Sequence, residues 1–436
     1  MTEQFAAIPR YEAYKDSGIE WLGKIPEQWI LKKIAHLFLN VGSGSTPSSG
    51  NVSFYGGSIP WLQTGDLTDS DINSTSKTVT EKALRVHSTL KKYKPGSLVV
   101  AMYGATIGKV GMLSIETTTN QACCVIEKNS FINMKYVFYL FLGFREKIIS
   151  MAYGGGQPNI SQDLIKSLRL PFPDKKEQTA IASFLDQKTT QLDQAIAIKE
   201  KQITLLKERK QILIQNAVTR GLNPDAPMRD SGVVYIGEIP AHWMIKRLKY
   251  ILDERNERSK TGEEPLFMVS QVHGLVVRSE YHNKAEVAES NVDNKIVYIN
   301  DLVFNKLKAH LGVFFKSNIS FKGLVSPDYA VYKPKGFIKD LKLLEYLFRH
   351  PAYIGQFIIR ATGIVEGLIR LYTDDLFDIY VPVPPTPEQQ IILQYIETES
   401  SKINKAITIQ QQQIEKLKEY KTTLINSAVT GKIKVA

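Results

Sequence analysis

Catalysis would need a phosphate cradle, paired carboxylates, a metal cluster or an activated nucleophile, so those patterns come first. GATIGKV at Gly104–Val110 places two glycines ahead of a lysine. A phosphate-binding loop needs four residues between its glycines and Ser or Thr after the lysine. Three separate them here and Val110 follows Lys109, so the stretch reads as a strand-turn-strand hairpin. A nuclease-like Pro-Asp followed by Asp-x-Lys occurs at Pro173, Asp174, Asp186 and Lys188, and again at Pro327, Asp328, Asp340 and Lys342. The copies fall at non-equivalent places and Lys188 belongs to a long helical stretch, so both read as coincidence. His273, His282 and His310 lack metal-ligand spacing. Neither an Asn-Pro-Pro-aromatic loop of an amino-methyltransferase nor a glycine-rich cofactor loop after a strand occurs. The expectation is a chain with no catalytic residue, no metal site and no cofactor of its own.

What remains is binding chemistry. The 436 residues carry a net charge of +11 and a pI near 9.2, which suits an anionic partner. Lys109, Lys306, Lys308 and Arg370 lie in or beside expected loops among Tyr, Gln and Asn, a mixture fit for phosphate contacts and base-edge reading. The only cysteines, Cys123 and Cys124, are neighbours in the apolar run ACCVI and read as two buried thiols in a reducing compartment. The first ten residues, MTEQFAAIPR, have no apolar core of signal-peptide length, and the apolar patch Tyr136–Leu142 is too short to cross a bilayer. A cytoplasmic protein is expected.

The elements that position these residues are written twice. Glu177–Val218 contains no Gly or Pro and has an apolar stripe in alternating steps of four and three: Leu192, Ile196, Lys199, Ile203, Leu206, Lys210, Leu213 and Ala217. At 1.5 Å per residue this predicts a rod roughly 60 Å long. Adding 211 to each number gives Ile403, Ile407, Gln410, Ile414, Leu417, Lys421, Leu424 and Ala428, in a second rod over Glu388–Val429. The entries match, LPFPDKKEQ (Leu170–Gln178) against VPVPPTPEQ (Val381–Gln389), with prolines ahead of each helix and a Glu in its first turn. A lysine in each seam, Lys210 and Lys421, predicts an antiparallel pairing tuned for specificity. The lead-ins repeat too. YEAYKDSGIEWLGKIPEQW (11–29) and DAPMRDSGVVYIGEIPAHW (225–243) share Asp16/Asp230, Gly18/Gly232, Pro26/Pro240 and Trp29/Trp243 at an offset of 214.

Between lead-in and rod, each half has a globular part of short apolar runs broken by Gly, Ser and Thr, read as strands and turns. A helix is expected over Met134–Met151, then a loop over Tyr153–Asn159. In the second half a helix is expected over Leu341–Ile359, then the loop ATGIVEGLIR. The fold class is α+β: two globular mixed parts separated by two long helices in an antiparallel intramolecular coiled coil, a pseudo-two-fold tandem duplication. Expected boundaries are 1–170, 171–221, 222–381 and 382–436, alternating globular part and rod.

The doubled DSG…GxIPxxW lead-in, GSTP at Gly44–Pro47 followed by IPWLQTGDL, and the PxPxxxEQ rod starts together resemble the specificity subunit of type I restriction-modification systems, over essentially the whole chain. The resemblance implies that each globular part is a target recognition domain reading one half of a split, asymmetric double-stranded DNA site. It implies that the rods set the spacer and dock two modification subunits, adenine-N6 methyltransferases, while restriction subunits supply motor and nuclease. S-adenosylmethionine, ATP and magnesium are expected in those partners. Loop position then nominates DNA-facing residues: Thr46, Gln63, Thr64, Tyr103, Lys109, Gln157 and Asn159 in the first part, and Gln271, His273, Lys306, Lys308, His310 and Arg370 in the second. The alternatives are a fused nuclease and a non-catalytic coiled-coil DNA-binding scaffold outside restriction-modification.

Overall fold

A computed structural model describes residues 9–152, 159–271, 273–281, 290–363 and 370–435; the side chains of Ala309 and His310 also lie outside the described set. The chain forms two compact units, Met1–Glu200 with Gln411–Ala436, and Lys201–Gln410. The first unit is built from two segments and the second from one, because each long helix contributes one part of its length to either unit.

The first unit opens with the hairpin β1 (Tyr14–Asp16) and β2 (Lys24–Pro26). Its turn needs Gly18 and Gly23, both with φ near +70°, a conformation that glycine adopts at no steric cost. β3 (Ile30–Lys33) then pairs with the distant β12 (Arg169–Phe172), which closes the globular part just ahead of the rod. Between them lie β4 (Val41–Ser43), β5 (Tyr55–Leu62), β6 (Ser70–Ile72), β7 (Lys77–Val79), β8 (Leu98–Ala101), β9 (Val110–Leu113), β10 (Thr118–Thr119) and β11 (Cys123–Ile126). The principal sheet has the order β4-β11-β8-β9-β6, and β10-β5-β7 forms a second. Every residue of β8, β9 and β11 is buried, which accounts for continuous apolar runs such as SLVVAM and ACCVIE where an exposed sheet would alternate. The short helices are α1 (Ile34–Leu37), α2 (Glu81–Val86), α3 (Met134–Gly143), α4 (Arg145–Ser150) and α5 (Gln162–Ser167), followed by the 46-residue rod α6 (Lys175–Arg220).

The second unit repeats the frame. β13 (Met228–Asp230) and β14 (Glu238–Pro240) form the lead-in hairpin, and β15 (Met244–Arg247) pairs with β24 (Tyr380–Val383). β16 (Leu252–Glu254), β17 (Phe267–Ser270), β18 (Gly274–Val277), α7 (Arg278–Tyr281), β19 (Lys295–Val297), β20 (Leu302–Asn305), β21 (Phe314–Lys316), β22 (Gly323–Val325) and β23 (Tyr329–Pro334) fill the space between. The sheet order β16-β23-β20-β21 matches β4-β11-β8-β9 strand for strand. α8 (Lys342–Leu347), α9 (Pro351–Arg360) and α10 (Thr373–Phe377) precede the 44-residue rod α11 (Thr386–Val429).

Two helices expected to be single are each divided. Met134–Met151 breaks at Phe144 (φ −101°, ψ 7°), whose ring leaves the helix path to pack edge-on against Trp21 at 5.2 Å. Leu341–Ile359 breaks ahead of Pro351, which lacks the amide that an uninterrupted helix would use and instead starts a new helix capped by the His350 side chain. Both rods begin two residues earlier than the sequence suggested, at Lys175 and Thr386.

The rods pair antiparallel within each unit. In the first, Lys421 reaches Asp193 (2.7 Å) and Lys199 donates to Gln413 (2.5 Å), one number falling as the other rises. In the second, Lys210 donates to Asn404 (3.0 Å), while Gly221 lies against Glu388. Leu192, Ile196, Ile203, Leu206 and Leu213 on α6, and Ile403, Ile407, Ile414, Leu417 and Leu424 on α11, are buried or half-buried among exposed neighbours. The two lysines sit at matching seam positions and so do their partners, Asp193 and Asn404, so the same polar crosslink occurs once as an ion pair and once as a neutral hydrogen bond.

Candidate nucleic-acid interface

Strand register gathers the described residues nominated in the first unit at one end of its principal sheet. Ser43 pairs with Cys124, Cys123 with Ala101, and Val100 with Val110. The chain therefore leaves β4 and β8, and enters β9 and β11, at the same end. Thr46, just past β4, is exposed and donates its hydroxyl to Gln121, just before β11. Gly44 makes this possible: its amide donates to Thr119 Oγ1 at 3.1 Å. Gln63 and Thr64 follow Leu62, whose carbonyl accepts the Asn120 amide at 3.0 Å, so they too lie beside this junction. The 3-10 turn Thr64–Asp66 is closed by Asp66 accepting the Gln63 amide at 2.8 Å.

Tyr103 follows β8. Met102 donates its amide to Ala122 and accepts that of Ile160, both at 2.8 Å, which sets exposed Asn159 next to the same group. Burial, then the neighbouring Cys123 thiol, raises the Tyr103 phenol above its ordinary value, so it acts as a neutral hydroxyl. Lys109 is half-buried with its carbonyl accepting the Ala101 amide at 2.8 Å. Gly104–Val110 is the connection between antiparallel β8 and β9, as a hairpin reading requires. Gln157 lies outside the described residues.

In the second unit the corresponding turn, between β20 and β21, carries Lys306 (half-buried) and Lys308 (exposed) on the 3-10 segment Lys306–Leu311. Leu371 donates its amide to the Lys306 carbonyl at 3.2 Å, bringing the adjacent Arg370, which is bridged to Thr362 and lies 3.9 Å from Asp328. Asn305 pairs with Tyr329 at the same sheet end, and burial raises the Tyr329 phenol. Gln271 and His273 are exposed at the turn of the β17–β18 hairpin, whose Phe267 and Leu275 pack on Val303 and Phe315 of the main sheet. The His273 ring lies 4.9 Å from that of Tyr281. His282 and the His310 side chain lie outside the described residues.

Sequence reasoning passed over several members. Gln121 and Asn120 sit in the polar run TTTNQ directly ahead of a buried strand, a signal that was legible. Asp69 and Arg145, which meet beside Gly108, are 76 residues apart and offered none.

The rod entries also act as latches. Gln178 and Gln389 are each 3% exposed and play one role twice. Gln178 donates to the Pro173 carbonyl (2.9 Å) and accepts the Asn133 amide (3.0 Å); Gln389 donates to Pro384 (2.9 Å) and Phe337 (2.8 Å). The preceding glutamates differ. Glu388 accepts from Trp243 Nε1 (3.0 Å) and meets His242 (2.8 Å), whereas Glu177 accepts from the Tyr11 hydroxyl (2.6 Å) and Trp29 Nε1 is left without a partner among the described residues.

The nuclease-like carboxylates are engaged separately. Asp186 accepts from Tyr139 (2.6 Å), Asp174 accepts the Glu177 amide (2.8 Å), Asp340 pairs with Lys316 (3.0 Å), and Asp328 faces Arg370. No group of three or more metal-ligating side chains occurs among the described residues, and none of their helices is long and apolar enough to cross a membrane.

Residues 26–208 match the family model described as the type I restriction modification DNA specificity domain. The type I restriction enzyme MjaIX specificity subunit of Methanocaldococcus jannaschii is 26% identical over 434 residues, covering 95% of either chain. The EcoKI specificity subunit of Escherichia coli is 22% identical over 397 residues, 86% of this chain and 82% of that one. Among solved structures, the HsdS subunit of Thermoanaerobacter tengcongensis shares the fold with a TM-score of 0.55 at 14% identity, over 94% of this chain and 98% of that one. A chain from a study of type I restriction-modification assembly reaches 0.67, also at 14% identity, over 93% and 98%. With its doubled lead-ins, doubled rods and twice-used sheet order, the chain matches the type I restriction modification DNA specificity domain over residues 26–208 and is similar, along nearly its whole length, to specificity subunits of type I restriction-modification systems.

Proposed function

We propose that the two sheet ends described above each read one half of a bipartite, asymmetric DNA site. Residues 1–170 and 222–381 act as the two target recognition domains, and the helices within 171–221 and 382–436 act as the spacer. The observation that carries this reading is the repeated sheet order: the β8–β9 turn presents Lys109, and the β20–β21 turn Lys306 and Lys308, at one end of a buried sheet, among residues able to read base edges. A net charge of +11 supplies the sequence-independent attraction to DNA.

The duplicated rods and entries offer two like surfaces, which suits two modification subunits per chain. Those subunits bring S-adenosylmethionine and methylate adenine N6; restriction subunits bring ATP- and magnesium-dependent translocation and cleavage. This chain selects the address, in the cytoplasm where the genome lies. Mapping methylated adenines across the genome with and without the gene tests the reading. The expected result is loss of one split motif, two specified ends around a fixed gap. An unchanged map in cells that express all the subunits would refute it.

A further inference from the structure

We propose that Arg145 and Asp69 form a positioning clamp that aims Lys109 at a DNA phosphate; this rests on the DNA-reading function proposed above. Arg145 opens α4, and its guanidinium contacts two groups at once. Nη2 pairs with Asp69 Oδ1, and Nε donates to the Gly108 carbonyl at 3.0 Å. The same Asp69 oxygen accepts the Val110 amide at 3.1 Å, and the Asp69 amide donates to the Val110 carbonyl at 3.0 Å. Both neighbours of Lys109 are thus held by one ion pair.

The rest of the turn is equally determined. Gly108 donates to the Ala101 carbonyl (2.9 Å), Lys109 donates to that of Thr106 (3.0 Å), and the Lys109 carbonyl accepts from Ala101 (2.8 Å). Gly108 has φ +75°, and a Cβ there would lie 2.9 Å from Ile149 and 3.1 Å from the Arg145 stem, so the turn fits its seat on α4 closely. Every backbone direction around Lys109 is fixed, while its side chain has no hydrogen-bond or ion-pair partner among the described residues.

Asp69 adopts φ +62°, one of three non-glycine residues with positive φ among the described residues. Strain of that kind persists where surrounding contacts over-determine it. Here the contacts are those that seat Lys109. Asp69 also lies three residues past the Thr64–Asp66 turn, so the clamp ties two nominated loops together. In the second unit Gly312 fills the matching place beside Ile354, but Arg349 turns to Glu345 at 3.0 Å, so the clamp belongs to the first unit.

The test uses the full chain assembled with its modification subunits, on a duplex carrying the split site that this complex methylates. Lys109→Ala, Asp69→Asn, Arg145→Gln and the Lys109→Ala/Asp69→Asn double variant are compared across salt concentrations. Asn tolerates positive φ, so Asp69→Asn keeps the turn while removing the charge. Lys109→Ala is expected to weaken binding about tenfold and to lower the slope of log affinity against log salt by about one. The clamp variants should reproduce both effects, and the double variant should add nothing. Weaker binding with an unchanged salt slope would mean a merely structural role and would overturn the proposal. So would additive losses, or a Lys109→Ala slope equal to wild type. If the wild-type complex methylates no split site, the underlying DNA-reading function fails first, which separates the two failures.

Discussion

Gly44→Ala should damage the first unit selectively, by an amount that follows from its surroundings. A Cβ at Gly44 would overlap the Thr119 carbonyl oxygen and lie 2.6 Å from its carbonyl carbon and 2.8 Å from its Oγ1. The obstacle is backbone of β10, itself paired with Leu62 of β5, so no flexible side chain can swing away. Overpacking of this kind costs about 1–3 kcal/mol, and parting the chains also breaks the 3.1 Å bond from the Gly44 amide to Thr119, worth about 1 kcal/mol. The sum, about 2–4 kcal/mol, would lower a urea midpoint by about 1 M at an m-value of roughly 2–3 kcal/mol/M. Denaturation followed by Trp fluorescence reads it locally once Trp21, Trp29 and Trp243 are replaced by Phe in every chain compared, since Trp61 is buried and donates to the Ser45 carbonyl at 3.3 Å. Gly50→Ala and Gly65→Ala are internal controls, because a Cβ at either meets nothing within 4 Å and neither glycine has positive φ. They should be neutral or stabilising by about 0.4–1 kcal/mol. The same shift should displace Thr46 and Gln121 and relax methylation specificity in one half-site. A Gly44→Ala chain that melts with wild type and methylates identically would refute the reasoning.

Burial pushes the Cys124 thiol up to about 12 and the Cys123 thiol higher still, so alkylation at pH 8 should be on the order of a thousandfold slower in the native chain than in urea. Mass spectrometry showing rapid native labelling would contradict the buried sheet. Ser259, the backbone amide of Glu264 and Lys322 hold the Glu264 carboxyl down at about 2, against an ordinary 4.5. Because the folded value is depressed, its stabilising effect is full above 4.5 and is lost as pH falls toward 2. Glu264→Gln should therefore flatten that part of the second unit's pH-stability curve, and an identical curve would exclude the interaction. Burial, then Arg349, lowers the Lys210 ammonium's pKa in the seam. Lys210→Leu should raise the urea-melt stability of the second unit by about 1 kcal/mol despite the lost bond to Asn404. A loss of stability would show that the crosslink outweighs apolar burial.

The parts of the fold legible in advance were those governed by short-range rules. Helical periodicity located both rods, and repeated Gly and Pro positions located both lead-ins, because these constraints lie within a few residues of one another. Pro351 was an equally local signal for the break between α8 and α9, although a single helix was expected there. The shared sheet order was not readable, since it arises from pairings such as Ser43 with Cys124 and Asn305 with Tyr329, between segments that retain little identity. Loop position was enough to nominate Thr46, Tyr103 and Lys109 separately, but not to bring them to one sheet end. Gln121 and the Asp69–Arg145 pair became visible only once register brought them there.

The separation between buried strands and exposed turns bears on how such a protein changes over generations. The residues that hold the first sheet together, including Leu98, Val99, Val100, Cys123 and Val125, are wholly buried, and their loss would cost several kcal/mol each. Thr46, Gln121 and Asn159 at the sheet end are exposed, where substitutions usually cost under about 0.5 kcal/mol. Under the proposed DNA-reading function, new target sequences can therefore be sampled at those positions without approaching the threshold of unfolding. Gly44 and Gly108 mark the limit of that freedom, because there the path of a turn is set by packing, and drift in what is read would have to pay in stability.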